Sequence, residues 1–177
     1  TSLPKCKGTD FTKWTDCYGE YKFPRIEYKG EWKDGAFHGQ GILREAWGDI
    51  YIGDFVNNKA EGTGRQDSYV NGEYVGSFGG ELKNDYLNGK GYREYGGCKE
   101  EGVFKDHDLN GEGQIVCEDG YMSEGIFEDG YLIKGTKIWE DGDKEIGNFL
   151  NGSLNGEGEI FWSSGNYEKG NYVNGSL

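Results

Sequence analysis

The sequence predicts an all-β protein, an elongated and twisted single-layer antiparallel β-sheet built as a meander of hairpins. Three observations predict it. A sequence motif of alternating residues, first complete from Tyr28 to Gly41, is repeated along the chain. The composition combines 33 glycines and 15% aromatic residues with only 34% hydrophobic residues, too few for an ordinary two-layer core in 177 residues. Turn pairs such as Asp34-Gly35 and Asn151-Gly152 separate the apolar stretches, and helical periodicity is nearly absent.

Residues 1–20 do not repeat, and we predict that they form a non-repeat N-terminal cap that contains Cys6 and Cys17. A repeat protein needs such a cap because its first unit otherwise exposes an unpaired strand and an apolar face. The first strand is expected at 21–23, before a proline that suits an edge or a turn. The chain opens at Thr1 rather than Met, so we expect that an upstream segment has been removed.

Residues 21–177 are predicted to be the repeat domain, with about six complete units and a half unit. The gaps between the first glycines of successive units are 23, 23, 26, 23, 22 and 23 residues. These glycines are Gly30, Gly53, Gly76, Gly102, Gly125, Gly147 and Gly170. The extra residues of the third unit are expected in 79–87, and the seventh unit has only its first half.

Each unit is predicted to contain two strands. The alternation Tyr28-x-Gly30-x-Trp32 places these three residues on one face and Lys29 and Glu31 on the other. Glycine weakens a strand because it packs no side chain, but a ring lying across a glycine of the neighbouring strand recovers buried apolar area. The aromatic position of the units is filled by Trp32, Phe55, Phe78, Phe104, Phe127, Phe149 and Tyr172.

These residues resemble the MORN repeat family, whose pattern is Tyr-x-Gly-x-Phe/Trp, a loop and then Gly-x-Gly. The likeness covers about residues 19–177, and the spacing and residue types recur together in at least four units. The opening, with Cys6, Trp14 and Cys17-Tyr18-Gly19, is similar to the start of exported bacterial MORN proteins. The resemblance implies a single-layer antiparallel sheet and a role in binding proteins or organising assemblies.

The leading position of the units departs from the family pattern. Tyr28, Tyr51 and Tyr74 occupy it in the first three units, whereas the next four carry acidic residues or serine, at Glu100, Ser123, Glu145 and Glu168. We therefore predict a binding face that is aromatic at first and turns acidic toward the C-terminus. The alternative is repeat drift with solvated carboxylates. The predicted face consists of Tyr28, Trp32, Tyr51, Phe55, Tyr74, Phe78, Glu100, Glu145 and Glu168.

The charge balance limits the partners. With 19 basic and 32 acidic residues the formal net charge is −13, which repels nucleic acid and anionic lipid headgroups. The apolar stretches are too short for a transmembrane helix. We expect a protein partner, and the acidic half of the face suits basic partners or cations.

The four cysteines include no Cys-x-x-Cys pair, so zinc and redox motifs are disfavoured. Cys98 begins the first strand of the fourth unit and Cys117 ends the second, so these two can face each other, while Cys6 and Cys17 would close the cap. Two disulfides and four free thiols are the open alternatives. Disulfides predict a secreted or periplasmic bacterial protein, with the cytoplasm as the alternative.

No catalytic constellation, cofactor site or metal site is predicted. The run 106–111 resembles the opening of an EF-hand loop, but its twelfth position is Cys117 rather than glutamate and no helix flanks it. The repeat explains this run as a turn.

The sequence therefore predicts a non-enzymatic protein-interaction or scaffold module. The alternatives are an accessory part of a longer enzyme-containing chain, and a carbohydrate or cation binder. The half unit predicts an open strand edge, through which we expect a homodimer.

Overall fold

Fourteen β-strands follow one another through residues 3–177, which are the residues that this computed structural model describes. They form one antiparallel sheet in which the strand order is the chain order, so the predicted meander of hairpins is confirmed. The strands are β1 (Cys17–Lys22), β2 (Ile26–Lys33), β3 (Ala36–Glu45), β4 (Ile50–Val56), β5 (Lys59–Val70), β6 (Glu73–Lys83), β7 (Tyr86–Tyr95), β8 (Cys98–Lys105), β9 (Asp108–Cys117), β10 (Met122–Glu128), β11 (Tyr131–Ile138), β12 (Lys144–Leu150), β13 (Ser153–Phe161) and β14 (Tyr167–Tyr172).

The segment before β1 contains a 3-10 helix at Phe11–Lys13, the only helix among the described residues. Thr1 and Ser2, the first residues of the predicted cap, lie outside the described residues. The first strand begins at Cys17, earlier than expected, because its pairing with β2 extends back to Cys17 opposite Trp32. Tyr18 is also paired with the chain at residues 4–6. Its N–H donates to the Pro4 carbonyl (2.8 Å), and its carbonyl accepts from the Cys6 N–H (2.9 Å).

Glycine faces glycine across the strands of each of two compact parts, which we name the N-terminal unit (Thr1–Gly89) and the C-terminal unit (Lys90–Leu177). In the N-terminal unit the row contains Gly19, Gly30, Gly41, Gly53, Gly64 and Gly80. In the C-terminal unit it contains Gly102, Gly113, Gly125, Gly135, Gly147, Gly158 and Gly170. We call the side of Tyr28 and Trp32 the ring face and the side of Lys29 the outer face.

The tight turns within the repeats have positive φ at both central positions, the type I′ geometry that matches the twist of a hairpin. Asn151 and Gly152 show it with φ values of 49° and 86°. The turns also bond to the preceding repeat, as when Phe37 donates its N–H to Asn58 Oδ1 (2.9 Å) and accepts from the Asn58 N–H (3.1 Å). The β4–β5 hairpin is thereby fixed to the β2–β3 hairpin before it.

The core of the N-terminal unit lies on the ring face and consists mainly of rings that bury one another. Tyr28 stacks on Phe37 with the ring centroids 3.9 Å apart, and it meets Trp32 and Phe55 edge to face, at 5.2 Å from each. Trp14 of the segment before β1 covers Trp32 at 5.0 Å. The alternation predicted for the first repeat is confirmed, since Tyr28, Gly30 and Trp32 are buried and Lys29 is exposed.

The predicted register of the third repeat is wrong. Gly80, and not Gly76, lies opposite Gly64. Phe78 therefore stands in the leading position and the buried Leu82 in the aromatic position. The extra residues lie in the long hairpin of β5 and β6 and not in 79–87. In most repeats the Gly-x-Gly begins nine positions after the first glycine, as Gly89 does after Gly80, and this spacing gives the correct register.

The residues that cover the glycines also differ from the expectation. A Cβ atom added to Gly41 would lie 2.5 Å from Cε2 of Tyr28, so the leading tyrosine lies over that glycine pair. In the C-terminal unit, a Cβ atom on Gly113 would lie 2.9 Å from Leu109 and one on Gly158 would lie 3.0 Å from Leu154. Leucines at the start of the second strand replace the tyrosines there, because the leading residues are polar.

Candidate functional site

The aromatic part of the predicted binding face forms the core of the N-terminal unit. Tyr28, Trp32, Tyr51 and Phe55 are buried together, and Phe78 packs against them while partly exposed. Burial raises the pKa of Tyr28 and of Tyr51. The Tyr28 hydroxyl donates to the Glu31 carbonyl (2.9 Å). These rings hold the sheet, and they pack against one another edge to face.

Tyr74 lies apart from this cluster, and its predicted place on the ring face is wrong: it pairs with Tyr69, which alternates with the ring-face Gln66 along β5 and so lies on the outer face. It is 50% exposed at the end of the β5–β6 hairpin, opposite Tyr69, and the two ring centroids are 5.8 Å apart. Of the predicted aromatic residues, Tyr74 offers the largest accessible fraction to a partner.

The acidic part of the predicted face belongs to one row of cross-strand neighbours in the C-terminal unit, which we name the polar row. Strand pairing places each member opposite the next, so the structure brings the three predicted glutamates onto one line. The polar row consists of Glu100, Ile115, Ser123, Lys137, Glu145, Ile160 and Glu168.

Glu100 and Glu168, toward the two ends of the polar row, have partners. Arg93 donates two hydrogen bonds to Glu100 Oε2, from Nη2 (2.7 Å) and from Nε (3.1 Å). Glu168 Oε1 accepts from the Tyr172 hydroxyl (3.0 Å). Both glutamates are only partly exposed, so the two contacts fix the carboxylates in place at the sheet surface.

In the middle of the polar row Ser123 and Lys137 are buried, Glu145 is partly exposed, and not all polar atoms have hydrogen-bond partners within the described chain. Ser123 is 1% exposed and its hydroxyl has no hydrogen-bond partner among the described residues, nor has Glu145 Oε2. The Lys137 ammonium lies 4.5 Å from the ring centroid of Phe149 and donates to the Gly152 carbonyl. Burial lowers the pKa of Lys137 and raises the pKa of Glu145, and the attraction between the two charges opposes both shifts.

The raised pKa of Glu145 predicts a pH dependence of stability. A carboxyl group that binds its proton more tightly in the folded state stabilises the fold at low pH, and this contribution is lost as the pH rises from about 4.5 through the raised value. We expect Glu145→Gln to remove this part of the pH dependence, so that the variant gains stability relative to the parent protein as the pH rises. Urea unfolding at a series of pH values measures it.

The exposed Glu124→Gln is the matched control for this prediction, because Glu124 lies on the outer face of the same unit. Equal changes in the pH profiles of the two variants would contradict a special role of the buried carboxyl group.

Sequence reasoning missed Arg93 and Lys137. Both stand at the second-strand position that Leu43 occupies in the first repeat, and Lys137 lies directly opposite Glu145. The signal was available, because a basic residue at a position that the repeat fills with leucine or isoleucine indicates a charge partner on the neighbouring strand.

A cavity of about 920 Å³ lies beside β1 in the N-terminal unit. Its lining is largely apolar and includes Leu3, Trp14 and Tyr21, with Glu20 and Lys29 at its polar side. Glu20 and Lys29 form an ion pair of 3.5 Å there.

Within residues 3–177, no group of three or more His, Cys, Asp or Glu side chains could hold a metal ion. In the run 106–111, Asn110 donates instead to Asp129 Oδ1 (3.0 Å), which ties two turns together. No helix of the described chain has the length and apolar character needed to cross a membrane.

Comparison with known proteins supports the repeat family. The MORN repeat model matches residues 28–50, 51–72 and 146–167. The first two matches begin at the leading tyrosines Tyr28 and Tyr51. MORN repeats usually belong to scaffolds for protein or membrane interactions.

Among curated proteins, the chain is similar to Alsin of Rattus norvegicus, of Mus musculus and of Homo sapiens. Each is 31% identical to it over 121 residues, which is 63% of this chain. The matched region is only 7% of the length of each Alsin. The likeness therefore concerns the repeats and not the rest of those proteins.

Two disulfide bonds, Cys6–Cys17 and Cys98–Cys117, pair all four cysteines. In the second, the two residues lie opposite each other in the β8–β9 register, as the sequence predicts. These bonds indicate an oxidising compartment.

Proposed function

We propose that this chain is a non-enzymatic protein-interaction or scaffold module made of MORN repeats, and that a protein partner binds its ring face. The observation that supports the proposal is the strand register. On the ring face, strand pairing places equivalent residues of neighbouring strands directly opposite one another. The side chains of such an array are already ordered before a partner binds. The free energy of binding is therefore reduced little by the entropic cost of ordering them.

The accessible residues of the face define the contact. The partly exposed Phe78 offers apolar area on the ring face of the N-terminal unit, and the buried rings against which it packs hold the strands. In the C-terminal unit Glu100, Glu145 and Glu168 are partly exposed along the polar row. With a formal charge of −13 for the chain, this half suits a basic surface on the partner.

Site-specific photo-crosslinking in cells of the source organism tests the ring face. With p-benzoylphenylalanine in place of Phe78, which lies on the ring face opposite Gln66, we expect ultraviolet light to attach a partner protein covalently. The control is the same substitution at Tyr131, which is 70% exposed at the start of β11 and lies outside the face. Identical products from both positions, or none from Phe78, would refute the proposed contact.

We also propose a homodimer through β14. This strand pairs only with β13 among the described strands, so its outer edge presents backbone groups that a second copy can bind. In the same crosslinking experiment, the photoreactive residue at Asn171 should give a product of twice the chain mass. Only monomeric chain from purified protein at high concentration would exclude this dimer.

The two disulfides support a further part of the proposal, that the protein is secreted or periplasmic. Thiol titration of the protein isolated under alkylating conditions tests it, because four free thiols would place it in a reducing compartment.

A further inference from the structure

The outer face of the C-terminal unit carries a row of mostly apolar residues that the repeat does not require. Each residue lies opposite the next through strand pairing, from β9 to β14. We name this row the outer strip; it consists of Val116, Met122, Ile138, Lys144, Phe161 and Tyr167.

The outer strip is accessible to a partner. Val116 is 44% exposed, Phe161 37% and Tyr167 53%, and the rings of the last two are in contact, with centroids 4.8 Å apart. Lys144 does not interrupt the strip, because its ammonium lies over the Phe161 ring, 5.7 Å from the centroid, and its aliphatic stem adds apolar surface.

The N-terminal unit shows that this surface is a departure from the repeat. The corresponding row there is mostly charged or polar, with one isoleucine, and exposes no comparable apolar line. It contains Lys22, Glu27, Arg44, Ile50, Asp67 and Ser77. Contiguous exposed apolar surface in one unit and not in the other indicates an interaction site.

Carboxylates flank the outer strip on both sides. Glu118 and Glu140 are exposed in the turns beyond Val116 and Ile138. Glu124 and Glu159 lie two residues along β10 and β13 on the other side, and Glu159 is paired with Lys169 at 2.7 Å. Because Lys169 neutralises Glu159, the acidic margin consists of Glu118 and Glu140 on one side and Glu124 on the other. An apolar line with such margins is complementary to a segment that is apolar in the middle and basic at its sides.

The spacing of the outer strip favours a helix as the partner. Adjacent strands lie about 4.8 Å apart, so the strip presents one apolar contact every ~4.8 Å over a length of about 24 Å. An α-helix places one residue per turn on a given line, every ~5.4 Å, and about 16 residues cover this length. An extended strand places side chains of one face ~6.7 Å apart and matches the spacing less well.

We propose that the outer strip binds an amphipathic helix of a partner protein, with one apolar residue per turn against the strip and lysine or arginine residues facing the flanking carboxylates. This site lies on the opposite side of the sheet from the ring face, so it does not depend on the function proposed above. The carboxylates disfavour anionic membranes, which present the same sign of charge.

A designed peptide tests the outer strip without knowledge of the natural partner. The probe is a fluorescein-labelled 16-residue peptide of leucine and lysine with the leucines at i, i+3, i+4 and i+7, titrated with the full chain by fluorescence anisotropy. Phe161→Glu should weaken binding at least about tenfold, because it places a charge in the middle of the apolar contact. The matched control is Ile52→Glu, since Ile52 is also exposed (52%) on the outer face, but of the N-terminal unit.

Three results would overturn the proposal. The first is equal binding of a scrambled peptide with the same composition, which would mean charge attraction alone. The second is equal weakening by Phe161→Glu and Ile52→Glu in samples whose circular dichroism shows intact sheet. The third is the absence of peptide binding, and binding of vesicles that contain phosphatidylserine in its place would then assign the strip to a membrane surface.

Discussion

Gly41→Ala should destabilise the protein by about 3 kcal/mol, although it adds a single methyl group to an extended strand. The new Cβ atom would lie 2.5 Å from Cε2 and 2.6 Å from Cζ of Tyr28, and the backbone of Gly41 is not in the left-handed region. The loss therefore measures the displacement of the Tyr28 ring, which is packed between Phe37 and Trp32. Urea unfolding of the variant and the parent gives the difference.

A double-mutant cycle identifies the cause. Tyr28→Ala should cost about 3–5 kcal/mol by itself, as a buried ring removed from a core. In the double variant the methyl group no longer meets the ring, so the two losses should sum to more than the measured loss. Gly113→Ala is the control, because the nearest atom there is the flexible end of Leu109 and a smaller loss is expected. Additive losses in the cycle would contradict the ring-over-glycine account.

Removal of the Cys98–Cys117 bond, by Cys98→Ala with Cys117→Ala, should destabilise the protein by about 3 kcal/mol. The two cysteines are 19 residues apart, and the bond restricts the unfolded chain by closing a loop of that size. It also fastens the end of the β8–β9 hairpin, where the turn into β10 begins. Thermal unfolding of the parent and the variant, each with and without a reducing agent, measures the loss.

The reducing agent provides the internal control for this prediction. The parent should lose stability when it is added, and a variant that also lacks Cys6 and Cys17 should not respond. The Cys6–Cys17 bond closes a shorter loop, of 11 residues separation, so its removal should cost slightly less. A parent protein whose unfolding is the same under both conditions would show that these bonds do not form.

Much of the fold could be predicted because the repeat ties residue types to positions. The alternation around Gly30 predicts which side chains are buried, and the turn pairs predict the hairpins. The cross-strand position of Cys98 and Cys117 also follows from the repeat register. The third repeat was misplaced because Tyr74-x-Gly76-x-Phe78 also matches the repeat motif. Only the pairing of Gly80 with Gly64 identifies the correct register.

The candidate site could be predicted less well, because the sequence indicates on which face of the sheet a side chain lies but not whether that side chain is accessible to a partner. Sequence alternation places Tyr28 and Tyr51 on the ring face, but their burial depends on how rings of neighbouring strands cover one another. Likewise, Lys137 becomes a neighbour of Glu145 only through the β11–β12 pairing. The outer strip was missed because each of its residues is unremarkable in its own strand.

The strand order has a consequence for how the chain folds. Because each strand pairs with its immediate neighbours in the sequence, no pairing requires the closure of a long loop. Sheets whose strands are distant in sequence fold slowly, since the entropy of closing large loops is lost before the contacts form. Here any one hairpin can serve as a nucleus to which the next is added, so the chain should fold rapidly for an all-β protein, from several starting points.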